Sequence, residues 1–348
     1  MLLGLLFLLL VVLILLFTEE YLGKYKWTAF TIIALALIIY AGIRPIGFDR
    51  DSENYESIFM HPDSNVSVIS VEPSFLFLSK FLYLIYPDIH LLFLFYALLG
   101  VAIKFYAIRQ ITPLLFLPVI IYMGNFFLLH DLTQIRVGVA SAFFLLSVDP
   151  LSKGRKKLAC VYIIMAIIFH YSALALIPLL LLNNAPISQK GKIVLALIVP
   201  LCFILYALGT DVLTTFEIPY ITEKVETYRT ISENKLEKES ILNPFPLIKM
   251  AVFLYFLYYS DLIKQFVPSI YLLIKILGAS LLAYFMFSSI KIISMRISEL
   301  YGIVEIVAYP CILYTVKPIV ISKCIVCIIA FIGLYFQLIQ WGILDFAV

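Results

Sequence analysis

The chain has 348 residues, of which 63% are hydrophobic and 14% charged, with a formal net charge of +3 and a mean hydropathy of +1.06. A soluble domain carries roughly half apolar and a quarter charged residues, so this mixture is too apolar to coat a water-facing surface. It excludes a soluble globular domain. The charges are clustered, and the long apolar runs between them predict an all-α, polytopic transmembrane helix bundle.

About twenty apolar residues cross the hydrocarbon core of a bilayer. Runs of that kind lie near 1–17, 27–43, 89–108, 112–129, 132–148, 191–209, 245–262, 267–290, 296–316 and 321–342, with shorter ones at 157–169 and 171–184. They predict about 11–12 spans in a single integral membrane domain over 1–348. The first run has no basic start and no small-residue cleavage site, so it is expected to be a retained span rather than a removed signal. The two short runs meet at Phe169-His170-Tyr171-Ser172 and are read as a pair turning near the outer leaflet, one long helix being the competing reading. Positive charge favours the turn. With the N-terminus outside, the inner loops and helix ends hold Lys24, Lys26, Arg109, Lys153, Arg155, Lys156, Lys157, Lys190, Lys192, Lys264, Lys317 and Lys323, as the positive-inside rule requires. A single crossing over 157–184 would place Lys190 and Lys192 outside.

The same topology puts two long polar segments outside, 44–88 and 210–244. Within the first, residues 72–86 are too short for a secure span, and Pro73 suits a helix first turn. They predict an amphipathic helix lying on the membrane surface. Asn65-Val66-Ser67 matches a short glycosylation pattern with many chance matches. The five cysteines, Cys160, Cys202, Cys311, Cys324 and Cys327, all fall in apolar runs, which argues against a disulfide framework. No internal repeat, nucleotide-binding loop or metal-ligand set is evident, and neither a metal nor another cofactor is expected. Lys104 and Lys275 read as side chains snorkelling to the inner interface.

In the first outer loop, Asp51, Tyr55 and Phe59 recur every four residues and share a helical face. Asp51 serves either as a helix N-cap or as a carboxylate that orients or deprotonates a hydroxyl. Asp49 is an equal candidate. Glu72 is either a helix N-terminal acid or a third such carboxylate. Arg136 lies inside the apolar run 132–148, near its outer end, where an arginine is costly and needs a partner or a function. His130 and Asp131 are expected just outside that run. His170, at the proposed turn, is a structural residue, a proton shuttle or a phosphate ligand. Arg296 repeats the situation of Arg136, with Glu299 close behind. Arg44, Arg136, Arg296 and His170 are all expected in the outer third of the membrane, an arrangement suited to an anionic headgroup whose apolar tail stays in the bilayer.

The ordered set Gly47-Phe48-Asp49-Arg50-Asp51-x-x-x-Tyr55-x-x-x-Phe59, Glu72-Pro73-x-Phe75-x-x-Leu78, Arg136-Val137-Gly138-Val139-Ala140, Phe169-His170-Tyr171-Ser172-Ala173-Leu174 and Arg296 resembles the bacterial polysaccharide polymerases of Wzy/EpsG type, over about residues 40–300. The resemblance implies a GT-C-like membrane glycosyltransferase of the bacterial inner membrane. Its implied substrate is an oligosaccharide repeat unit on undecaprenyl pyrophosphate, joined into O-antigen or exopolysaccharide on the outer face without nucleotide sugar or metal. It also implies a chain-length regulator and a flippase as partners, and no nucleic acid. In this reading Asp51, Asp49, His170 and Glu72 are the catalytic candidates. Arg136, Arg296, Arg44 and Tyr55 bind the pyrophosphate or sugar, and Tyr220 and Tyr228 help enclose it. The alternatives are a flippase or transporter of lipid-linked sugars, an O-antigen ligase and a membrane acyltransferase.

Overall fold

The computed structural model describes residues 1–61, 71–208, 244–288 and 291–344. The Asn65 sequon, Tyr220, Tyr228 and nearly all of the segment 210–244 lie outside them. The described residues are helical with no strand; one isolated bridge joins Asp49 and Leu344. The described part of each expected run is largely helical. Among the described residues nine helices are long and apolar enough to cross a membrane, while Pro73–Ile85, Tyr171–Leu181 and Ile270–Met286 are shorter apolar helices.

The chain divides into two compact units, Met1–Leu180 with Glu305–Val348, and Leu181–Val304. The first contains α1 (Leu2–Thr18), α2 (Lys26–Gly42), α3 (Ser52–Met60), α4 (Pro73–Ile85), α5 (Ile89–Ile111), α6 (Phe116–Tyr122, continued as a π-helix over Met123–Thr133), α7 (Ile135–Ser152) and α8 (Lys156–Phe169). On α1, Leu5, Leu9, Val12 and Leu16 are buried, whereas Leu3, Phe7, Leu10 and Ile14 are exposed. A helix that packs one apolar stripe and exposes another suits lipid, because water would select polar residues for the outer face.

The expected break at His170 is present. Helix α8 stops at Phe169, His170 is extended (φ −157°, ψ 123°), and Tyr171–Leu181 forms a 3₁₀-helix. Helix α7 packs against α5 and α8, and glycines on α5 and α7 make room for the π-helical turns of α6. A Cβ on Gly100 would stand 2.2 Å from Asp131 Oδ1, and one on Gly138 would stand 2.4 Å from the His130 carbonyl oxygen. Small residues at such crossings are how membrane helices approach closely.

Two expectations are corrected here. Lys104 does not snorkel. It is fully buried, with Nζ 2.8 and 2.7 Å from the two Asp131 carboxylate oxygens and 2.8 Å from the Gly138 carbonyl oxygen. Tyr122 donates to the same carboxylate at 2.7 Å. His130 and Asp131 likewise do not lie outside the span; the π-helical turns carry both into the core, where they are buried.

The second unit holds α9 (Gln189–Ala196), α10 (Ile198–Leu208), α11 (Pro244–Ile263), α12 (Ile270–Met286) and α13 (Lys291–Gly302). Lys192 pairs with Asp261 at 2.8 Å, and Lys275 donates to the Asn183 carbonyl oxygen and to its Oδ1 at 2.8 and 2.9 Å. Arg296 lies on α13.

Candidate functional site

The segment between α2 and α3 is built as a tight turn. Phe48 N donates to the Pro45 carbonyl at 3.3 Å, and Gly47 has φ +84°. Positive φ at the third position of a turn favours glycine. The turn folds Asp49 back onto Arg44, 2.7 Å from Asp49 Oδ2 to Arg44 Nε, with both side chains fully buried. Asp49 Oδ1 also accepts from the Asp51 amide at 3.1 Å. Asp49 is thus committed to holding the turn. Asp51 occupies the N-cap position of α3, yet its side chain makes no capping bond. Arg50 donates to the Gly342 carbonyl at 2.9 Å and also to that of Trp341, fastening the turn to the end of the chain.

Helix α3 directs Tyr55 and Phe59 inward, as their spacing predicted, and both are buried. The Arg44 guanidinium sits 3.6 Å from the centre of the Phe93 ring. Tyr55 packs between Phe93 and Phe75, with ring centres 6.5 and 5.5 Å away. The Arg136 guanidinium lies 5.7 Å from the Tyr55 ring centre and 5.3 Å from that of Phe75. Burial is the main effect on the Tyr55 phenol and pushes it up to about 12, so it remains a proton donor at neutral pH.

Glu72 immediately precedes α4 but does not cap it with its side chain. Its carboxylate pairs with Arg136, stands 2.6 Å from His170 Nδ1 and accepts from the Tyr171 amide at 3.3 Å. Ser74 donates to the Ile168 carbonyl, so the start of α4 is tied to the end of α8. Burial alone would raise the Glu72 carboxyl; the contacts from His170 and Arg136 outweigh it and hold the group down to about 2. Such a carboxylate is a weak base and a good orienting group. The guanidinium is held by Glu72 and by the Tyr55 hydroxyl, while its buried Nε has no acceptor, so an anchored cation keeps one donor open.

Six of the predicted site residues therefore come together: Arg44 and Asp49 across Phe93 from Tyr55, and Tyr55 beside Arg136 with its partners Glu72 and His170. Asp51 lies at the start of the helix that carries Tyr55. Arg296 belongs to the second unit. Sequence reasoning missed the aromatic walls Phe93 and Tyr96, and gave Phe75 only as part of the Glu72-Pro73-x-Phe75 motif, with no role. The only signal for Phe93 and Tyr96 was a helical stripe on α5, Phe93, Tyr96, Gly100 and Lys104, which reads as ordinary core.

The sequence matches the model of the EpsG family over residues 27–345. The chain belongs to the EpsG family. No curated protein and no solved structure matches it significantly. EpsG family membership supports a polymerase-type role in polysaccharide biosynthesis, and the apolar helices make this a multi-pass membrane protein. The match takes in every element of the cluster, from Arg44 to His170, as well as Arg296.

Proposed function

We propose that this protein is a membrane glycosyltransferase that polymerises oligosaccharide repeat units carried on undecaprenyl pyrophosphate, at the outer face of a bacterial inner membrane. The observation that carries the proposal is the Glu72 carboxylate gripping both Arg136 and His170 while Arg136 Nε lacks an acceptor. A fixed guanidinium with a spare donor, among buried aromatic rings, suits a pyrophosphate oxygen. Ordering the cation in advance lets it stabilise charge that develops on the leaving group without reorganising.

In this mechanism the hydroxyl of one lipid-linked unit attacks the anomeric carbon of another. A new C–O bond forms as the bond from that carbon to the pyrophosphate oxygen breaks, and the lipid pyrophosphate leaves with the electron pair. Arg136 receives the growing negative charge. The acceptor proton passes to His170, whose ring Glu72 orients through Nδ1, as a carboxylate orients imidazole in general-base pairs. Glu72 itself stays ionised and acts through its two partners. Attack opposite the leaving group inverts the anomeric centre.

The test is complementation of a strain lacking this chain, with polymer resolved by gel and protein quantified in membranes. Arg136→Gln and His170→Ala should each abolish the ladder at normal protein level. A full ladder from both removes the mechanism. The null strain should retain a single repeat unit attached to its final acceptor; loss of even that unit would favour the flippase or ligase reading.

A further inference from the structure

Tyr96 lies on α5 with 1% of its surface exposed, and its hydroxyl has no hydrogen-bond partner in the structure. The ring is fixed from two sides. Phe75, which also carries the Arg136 guanidinium at 5.3 Å, has its centre 6.0 Å away. Phe169, the neighbour of His170, meets it edge-on at 6.0 Å. The hydroxyl therefore belongs to the Glu72–Arg136–His170 cluster, and it interacts electrostatically with Arg136, Tyr55 and Glu72. Glu72 does not satisfy it, since one carboxylate oxygen faces Arg136 and the other faces His170 and the Tyr171 amide.

A buried hydroxyl without a partner is destabilising, and phenylalanine would fill the same space without that cost. The hydroxyl gains a reason to be there if its partner arrives with the substrate. The other donor in this cluster without an acceptor is Arg136 Nε. A neutral donor and a cationic one packed on the same Phe75 ring, both unfilled, call for an acceptor oxygen bearing negative charge. We propose that Tyr96 is a phosphate-binding residue, its hydroxyl and Arg136 Nε together receiving the phosphoryl oxygens of the lipid-linked substrate. This inference rests on the glycosyltransferase reading above and adds to it a binding group.

The experiment compares the full-length wild type with Tyr96→Phe and Arg136→Gln in detergent or lipid nanodiscs. The probes are polyprenyl pyrophosphate, inorganic pyrophosphate and the uncharged polyprenol. Tyr96→Phe should melt at or above the wild-type temperature and bind polyprenyl pyrophosphate about tenfold more weakly, equivalent to about 1.4 kcal/mol, with polyprenol binding unchanged. A parallel loss for inorganic pyrophosphate would assign the contact to the phosphates alone; a loss confined to the lipid form would assign it to the headgroup in its lipid setting. Either supports the proposal. Unchanged pyrophosphate binding by Tyr96→Phe overturns it, as does a melting temperature several degrees lower, which would reveal an internal partner, or an equal loss for polyprenol. If Arg136→Gln weakens binding and abolishes polymer while Tyr96→Phe does neither, only the Tyr96 inference fails. If Arg136→Gln leaves the ladder intact, the catalytic reading fails with it.

Discussion

Replacing Lys104 with methionine tests whether the intramembrane ion pair is an energetic unit. The substitution keeps most of the side-chain volume but removes the contacts of Nζ with both Asp131 oxygens and with the Gly138 carbonyl. Breaking a buried pair from one side typically costs 3–5 kcal/mol, because the remaining charge is left uncompensated. Asp131 keeps its 2.7 Å bond from Tyr122, which places the expected loss at the lower end, about 3 kcal/mol. At roughly 2 °C per kcal/mol for a chain of this size, the unfolding midpoint in detergent should fall by about 6 °C. The double variant Lys104→Met with Asp131→Asn should recover more than half of that loss. It removes the stranded charge, and the new amide can accept from Tyr122. The assay is a double-mutant cycle by thermal unfolding of the purified protein. Additive losses in the double variant would refute the reasoning, since they would mean the two groups do not hold each other.

Glu72→Gln should remove polymer and lower stability in a pH-dependent way. The wild-type carboxyl is held at about 2 against an ordinary value of 4.5, so its contribution, roughly 3 kcal/mol, is complete above pH 4.5 and is lost as pH falls toward 2. The gap in unfolding midpoint between wild type and variant should therefore be wide at pH 6 and narrow at pH 3; a constant gap would contradict this. Gly138→Ala should reduce membrane accumulation sharply because its Cβ would stand 2.4 Å from a backbone oxygen, whereas Gly4→Ala, with its Cβ 3.4 Å from a Tyr40 ring atom, should be tolerated; immunoblots of membrane fractions decide. Arg50→Ala should release the 45–51 turn from the 341–342 carbonyls it binds, seen as faster amide exchange in that turn with α7 unaffected.

The spans were legible because a helix facing lipid must be apolar over its full length, and the shortness of the two runs that meet at His170 marked the place where α8 ends. The pairing of Glu72 with Arg136 was not legible. The two are 64 residues apart, and no periodicity links a residue before a short apolar helix to one inside a span. The same limit explains Lys104. Reading a lysine in an apolar run as a snorkelling side chain is sound when no acid is at hand, but its acid lies 27 residues on, at a place where a charge was taken to end the run. The π-helix over Met123–Thr133 extends α6 past that point. For Asp49 and Asp51 the loop motif gave no preference; only the turn geometry shows that Asp49 is engaged by Arg44.

The eleven-residue 3₁₀-helix over Tyr171–Leu181 has a consequence for motion. Runs of this kind beyond three or four residues are uncommon, because their backbone bonds are poorly aligned. Each residue advances about 2.0 Å instead of 1.5 Å, so recoiling into an ordinary α-helix would shorten the segment by roughly 5 Å. A stretched spring thus begins one residue beyond His170, and that residue's amide is already hooked to Glu72.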